Sequence, residues 1–185
     1  MIVERAGDLL RDDAQALVNP VNTAGVMGKG LALQFKRAFP AAFTAYATAC
    51  ADGRVRPGEV LPVPIDDGRW ILHFPTKRHW RSRSRLDDIE AGLDDLVRVL
   101  ADLKIVSVAV PPLGCGHGGL DWGVVHPLIT AALGSSDVDM DVDVDVRLRV
   151  SRAVRRLECR GRPAASARPP GRARFPGRPQ APWPR

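Results

Sequence analysis

The sequence predicts an α/β protein: a central mixed, mostly parallel sheet with helices packed on it. Three observations carry that expectation. Short apolar or alternating segments of strand length recur along the chain, at 1–5, 14–18, 59–65, 69–74, 105–110 and 137–150. Between them lie segments of helical character, at 31–39, 40–51, 86–103 and 121–133. Two glycine-rich loops each follow a strand and precede a helix, the place where open α/β sheets take their ligands. At 185 residues the chain is long enough for one domain with a sizeable core.

Taken in order, Met1–Arg5 reads as a first strand, and Gly7-Asp8 turns the chain before Leu9-Leu10, with Asp8 suited to a turn or helix cap. Ala14-Gln15-Ala16-Leu17-Val18 is short and apolar, as a buried strand is. Asn19 and Asn22 at its end are poor strand residues, so the pair marks either a turn or a recognised sugar. Gly25, Gly28 and Gly30 follow, and Leu31, Phe35 and Phe39 then recur at helical spacing. Glycines let the backbone come close to a ligand, and the helix start turns free N–H groups and the positive end of its dipole toward an anion. A diphosphate fits that description; a turn that needs glycine for geometry alone is the plainer reading. Leu31 stands where the G-x-x-x-x-G-K-[ST] phosphate loop needs Ser or Thr, and the G-x-G-x-x-G spacing is absent too.

Pro40–Ala51 reads as an alanine-rich helix ended by Asp52-Gly53, and Glu59–Ile65 and Arg69–Phe74 as strands about the turn Asp66-Asp67-Gly68. Pro75 is expected to end the strand. Lys77, Arg78, Arg81, Arg83 and Arg85 then fall together around Trp80 with no acid among them. Such a run is either a solvated loop or a nucleic-acid contact, in which arginines fork onto phosphates and the indole stacks on an unpaired base. Leu86–Leu103 carries one apolar face with acids at its N-terminal end, and Ile105–Val110 is β-branched enough for a central parallel strand. The second glycine loop, Pro111–Leu120, holds Gly114, Gly116, Gly118 and Gly119, so that two such loops could grip a diphosphate from both sides. A helix follows from Asp121-Trp122 to Leu133. Asp137–Val150 alternates as a half-buried strand does.

Charge divides the chain. Residues 1–146 hold 15 Lys and Arg against 20 Asp and Glu, a net −5, whereas residues 147–185 hold 12 Arg against Glu158 alone, a net +11. Beyond Ser151 large apolar residues are scarce, so 1–150 is expected to be the folded domain and 151–185 a disordered Arg/Pro/Ala-rich tail. Cys50, Cys115 and Cys159 form neither a disulfide framework nor a metal-ligand spacing, and His117 and His126 lack metal-partner spacing; loop or packing roles are expected for both histidines, with no metal and no cofactor. The N-terminus lacks a signal-peptide pattern and no apolar run approaches spanning length, which points to a cytoplasmic, membrane-free setting.

Four separated motifs, in the same order, resemble the macrodomain family of ADP-ribose-binding modules: Gly7-Asp8-Leu9-Leu10, Asn19-Pro-Val-Asn-Thr-Ala-Gly-Val-Met-Gly-Lys-Gly30, Phe74-Pro-Thr-Lys-Arg-His-Trp-Arg81 and Pro111-Pro-Leu-Gly-Cys-Gly116. The likeness runs from Met1 to about Leu148 and is nearest to the branch of DNA ADP-ribosyl glycohydrolase antitoxins, which reverse a DNA-modifying toxin. It implies a three-layer α/β/α macrodomain that hydrolyses the N-glycosidic bond joining ADP-ribose to a DNA base, by resemblance thymine. It also implies Lys77 as the catalytic lysine, nucleophile or proton donor, and Asn22 on the distal ribose. Asp8 would accept from the adenine amino group, with Leu9, Asn19, Thr23, Gly28, Lys29, Gly30, Pro112, Leu113, Gly114, Cys115, Gly116, His117 and Gly118 around the ligand. Arg78, His79, Trp80 and Arg81 would contact DNA. The partners so implied are ADP-ribose, ADP-ribosylated single-stranded DNA and a cognate DNA ADP-ribosyltransferase toxin, met by a monomer. One departure stands out: relatives that release ADP-ribose from protein glutamates carry an aspartate in the second loop, where this chain has His117-Gly118-Gly119 and meets its first carboxylate at Asp121. A binding module without turnover, and a hydrolase of ADP-ribosylated protein or O-acetyl-ADP-ribose, are the rival expectations.

Overall fold

The computed structural model describes residues 2–66, 68–134 and 145–149. Its strands are β1 (Ile2–Arg5), β2 (Ala16–Asn22), β3 (Leu61–Asp66), β4 (Arg69–Lys77), β5 (Ser107–Val110) and β6 (Asp145–Arg149). They form one sheet in the order β1-β6-β5-β2-β4-β3. All neighbours run parallel except β3 with β4, an antiparallel hairpin at one edge. A 3₁₀ turn, Leu9–Arg11, precedes helices α1 (Gly30–Ala38), α2 (Pro40–Ala51), α3 (Leu86–Asp102) and α4 (Trp122–Gly134).

Period-two burial divides the helices between the faces of the sheet. On one face Leu17, Ile71 and Ala109 pack with Leu9, Phe35 and Ala42, which belong to the 3₁₀ turn, α1 and α2. On the other, Ala16, Val18, Leu72, Phe74, Val108 and Val110 pack with Ile89, Leu93, Leu96 and Leu100 of α3 and Val125 and Ile129 of α4. This is the α/β/α layering that the alternation of strands and helices implied. Sequence signals set the helix ends: Pro40 occupies the first turn of α2, and Asp87 and Asp88 lie in the first turn of α3, where the dipole favours acids.

Two strands run further than their sequence suggests, and both extensions form the site. β2 passes Asn19 and Pro20 to reach Asn22, because its ladder with β5 closes at Leu17–Ala109 while its ladder with β4 continues. Pro20, which has no N–H to give, therefore lies beyond the pairing with β5. Pro75 likewise does not end β4: β3 pairs with β4 no further than His73, so Pro75 sits past that partner and the strand continues to Lys77. Between Val21 and Asn22 the β2–β4 register slips, which places Asn22 opposite Lys77 instead of Thr76. The strand expected over 137–150 is described only as β6. Its remaining residues, and the tail 151–185, lie outside the described residues.

Candidate functional site

Where β5 and β2 part, the C-terminal rim of the sheet opens into a cleft of about 1250 Å³. Gly7, Asp8, Leu9 and Arg149 line it, as do Asn22, Gly28, Lys29 and Gly30, Pro112, Gly114, Gly116, His117 and Gly118, and Lys77, Trp80 and Arg81. β1 and β6 flank β5 on one side of this opening and β4 flanks β2 on the other. Asp8 and Arg149 therefore mark one end of the cleft, and Lys77 and Trp80 the other.

Asn22 shapes the first glycine loop. Its Oδ1 accepts from the N–H groups of Ala24 (3.0 Å) and Val26 (3.3 Å), and its Nδ2 donates to the Val26 carbonyl (2.6 Å). Tyr46 Oη donates to the Asn22 carbonyl at 2.5 Å, and burial raises the phenol's pKa far above its ordinary value, so it remains a donor. Asn22 Nδ2 carries a second hydrogen beyond the one given to Val26, and the residue lines the cleft. The first N–H groups of α1, at Gly30, Leu31 and Ala32, have no acceptor one turn back, and these residues line the cleft as well. An anion placed there meets both the open N–H groups and the helix dipole.

The second loop is tied from beneath and from the side. Ser84 N–H donates to the Gly118 carbonyl at 3.0 Å, and Leu120 N–H to the Gly114 carbonyl at 3.1 Å. Lys77 Nζ donates to the His117 carbonyl at 2.5 Å. The His117 ring meets the first loop, since a methyl at Gly30 would stand 3.3 Å from its Cδ2. The two loops thus close on each other across the cleft with the amine at their junction. Partial burial holds the Lys77 pKa below the ordinary lysine value, which favours a neutral amine more than water would.

At the Lys77 end the basic loop is less free than its charge suggested. Arg78 pairs at 3.0 Å with Asp88 of α3, which raises the guanidinium pKa further, and Arg85 pairs with Asp87 at 3.4 Å. Trp80 is 44% exposed, with the Arg81 guanidinium 4.3 Å above its ring and the His79 ring 5.3 Å away. Trp80 and Arg81 face the cleft; Arg78 and His79 do not line it. At the opposite end Asp8 both caps and lines. Its Oδ1 accepts from Leu10 N–H at 3.1 Å, and half of its side chain stays exposed.

Four residues expected around the ligand are placed elsewhere. Asn19 is fully buried: its Nδ2 lies 3.3 Å from His73 Nδ1 and 3.9 Å from Met27 Sδ, so β2 turns it into the core layer beneath the first loop. Thr23 fastens that loop to β4, donating its N–H to the Lys77 carbonyl (3.0 Å) and its Oγ1 hydrogen to the Arg78 carbonyl (2.6 Å). Leu113 and Cys115 point down into the core on the α3 and α4 side. Burial, with the charge of Asp121 adding to it, pushes the Cys115 thiol up to about 12, which leaves it a small apolar residue. Strand pleat or loop direction sends Asn19, Leu113 and Cys115 inward, whereas the Thr23 hydroxyl is spent on the Arg78 carbonyl. Conversely, Val26, Leu31, Ala32, Gln34, Thr76 and Arg149 line the cleft without having been anticipated. The first four had a signal, since they share the first loop and its helix with Gly28 and Gly30; Arg149 had none.

His73 carries a consequence for stability. Its burial lowers the imidazole pKa from an ordinary 6.5 to about 4. The unfolded chain then binds a proton that the folded chain refuses, so stability is full above pH 6.5 and declines as pH falls from there toward 4. The loss is on the order of 3 kcal/mol. Thermal unfolding measured across this range should show the decline in the native protein and a flatter profile in His73→Leu; equal slopes would exclude His73 as the cause.

Among the described residues, no group of three or more His, Cys, Asp or Glu is arranged to hold a metal ion, and no helix is long and apolar enough to cross a membrane.

The family model for the Macro domain matches residues 18–129. A Mycobacterium tuberculosis protein named DNA ADP-ribosyl glycohydrolase is 54% identical over 143 residues, which is 75% of this chain and 41% of that protein. A Thermus aquaticus protein of the same name is 51% identical over 130 residues, 69% of this chain and 36% of the relative. The chain thus spans about two fifths of the length of these curated relatives. Among solved structures, the macrodomain of Mycobacterium tuberculosis DarG aligns with a TM-score of 0.74 at 52% identity, covering 80% of this chain and 97% of that one. Thermosipho africanus DarTG in complex with ADP-ribose aligns with a TM-score of 0.70 at 35% identity, covering 80% and 41%. A family model matched over more than half the chain, on a layered sheet whose two glycine loops meet over one cleft, establishes that this chain belongs to the macro domain family.

Proposed function

We propose that this protein binds ADP-ribose in the cleft and removes it from ADP-ribosylated DNA, hydrolysing the N-glycosidic bond to a base, by resemblance thymine. It would thereby act as antitoxin to a DNA ADP-ribosyltransferase. The observation that carries the reading is the slip in the β2–β4 register, which brings Asn22 and Lys77 together under the closed pair of glycine loops. The name of the relatives at 51–54% identity supports the same reaction.

In this reading the adenosine lies toward Asp8 and the diphosphate against the N–H groups that open α1. The distal ribose then falls between Asn22, whose remaining amide hydrogen can orient a hydroxyl, and the Lys77 amine. Fixing the sugar this way supplies positioning, which can account for much of a barrier. The bond between the anomeric carbon and the base nitrogen breaks with its electron pair leaving on the base. Water supplies the oxygen that replaces it, and one proton of that water goes to solvent or to a nearby base. Lys77 is the titratable group at the reacting end, able to attack the opened sugar as a neutral amine or to protonate the departing base as an ammonium. Trp80 and Arg81 give the base and its flanking phosphates a surface at that end.

The test is release of ADP-ribose from three substrates side by side: ADP-ribosylated single-stranded DNA, ADP-ribosylated protein and O-acetyl-ADP-ribose. Turnover of the DNA substrate is expected. Binding of free ADP-ribose with no turnover of any substrate would make the protein a reader instead. Trp80→Ala should weaken the DNA substrate about tenfold and leave free ADP-ribose unaffected, as loss of one stacked base predicts; equal losses for both ligands would remove stacking from the account.

A further inference from the structure

We infer that Arg149 is a binding residue for the purine end of the nucleotide, held in place by the buried carboxylate of Asp12. The inference deepens the reading of the cleft as an ADP-ribose site and rests on it. β6 ends at Arg149, and because β6 lies between β1 and β5, its last side chain rises at the cleft end occupied by Gly7 and Asp8. Both Nε and Nη2 of Arg149 engage Asp12 Oδ2, from a carboxylate with no exposed surface. Asp12 also accepts from Ala14 N–H at 3.0 Å and from Arg147 at 2.9 Å, which fixes the carboxylate in turn.

The Nε–Nη2 edge of the guanidinium is therefore committed, and its plane is set before any ligand arrives. Nη1 is left over. It has no partner among the described residues, and it points along Gly7, where a methyl would stand only 3.1 Å from it. Because Gly7 has no side chain, none stands at that position between this donor and the cleft that both residues line. The next residue, Asp8, lines the same space with a half-exposed carboxylate. A donor and an acceptor on one wall match a purine edge that presents a ring-nitrogen acceptor beside an amino donor, as adenine does. The planar guanidinium also provides a face on which the ring can lie. The ordering cost of a long arginine side chain has already been met by Asp12, so the contact is made by a group that loses little further freedom on binding.

Calorimetry on the full chain tests the assignment with ADP-ribose, AMP and ribose 5-phosphate, against the native protein, Arg149→Ala and Arg149→Lys. The lysine variant keeps a cation on Asp12 and so protects the fold while removing both the plane and Nη1. Both variants are expected to bind ADP-ribose and AMP about tenfold more weakly, the range for loss of a charged hydrogen bond, with ribose 5-phosphate unchanged. Unaltered ADP-ribose affinity in Arg149→Lys would overturn the inference and leave the cleft assignment standing. An equal loss for ribose 5-phosphate would overturn it too, since Arg149 would then act through loop structure and not on the base. Failure of the native protein to bind ADP-ribose would instead remove the cleft reading, and this inference with it.

Discussion

Lys77→Ala is expected to lower release of ADP-ribose from ADP-ribosylated DNA by ~100-fold or more, while free ADP-ribose binds within a few fold of the native protein. The asymmetry follows from where the amine sits. Lys77 is at the far end of the cleft from Asp8, bonded to the His117 carbonyl and not to the N–H groups that open α1. Removing it leaves the start of α1 and the Asp8 end of the cleft intact. The pH profile of ADP-ribose release by the native protein adds a second reading of the same residue. Burial lowers the Lys77 pKa, so the limb that Lys77 controls lies below the ordinary lysine value of 10.5. A rate that rises as the amine loses its proton identifies a nucleophile, and one that falls over the same interval identifies a proton donor. Full turnover in Lys77→Ala would exclude the residue from the mechanism.

Gly118→Ala is expected to be the most damaging small substitution in the site. A methyl there would stand 2.2 Å from the Gly114 carbonyl oxygen and 2.2 Å from Ser84 Oγ. One of those atoms is backbone of the same loop, so the loop itself must move. Overpacking of this sort costs about 1–3 kcal/mol. It also displaces the neighbouring His117 carbonyl that Lys77 holds. Lower stability in denaturant and at least about tenfold weaker ADP-ribose binding should appear together, each tenfold being ~1.4 kcal/mol. Gly116→Ala is the matched control for stability, because a methyl at Gly116 meets nothing within 4 Å. If the two variants were equally stable, the second loop would be looser than its contacts imply.

Much of the architecture could be read before any coordinates. The apolar stripe of α3, the β-branched run of β5 and the two glycine loops are signals carried by residues close in sequence, and all fell where expected. Prolines misled in one direction. Pro75 looked like a strand breaker, and the strand at 14–18 was not expected to run on through Pro20, yet each proline lies in a strand just beyond its pairing with one neighbour. The basic loop misled in another. With no acid inside it the run looked uncompensated, but α3 returns Asp87 and Asp88 to it.

What the sequence determined by itself was the layered α/β fold, the two glycine loops and the amine and amide worth testing, because periodicity, glycine content and motif order are properties of neighbours along the chain. Tertiary structure alone decided which of those residues share the cleft. A one-residue slip between β2 and β4 set Asn22 against Lys77, the strand pleat turned Asn19 inward, and pairing between Asp12 and Arg149, 137 positions apart, fixed the far wall. Register and long-range ion pairs depend on which elements come to lie side by side, and no local pattern encodes that.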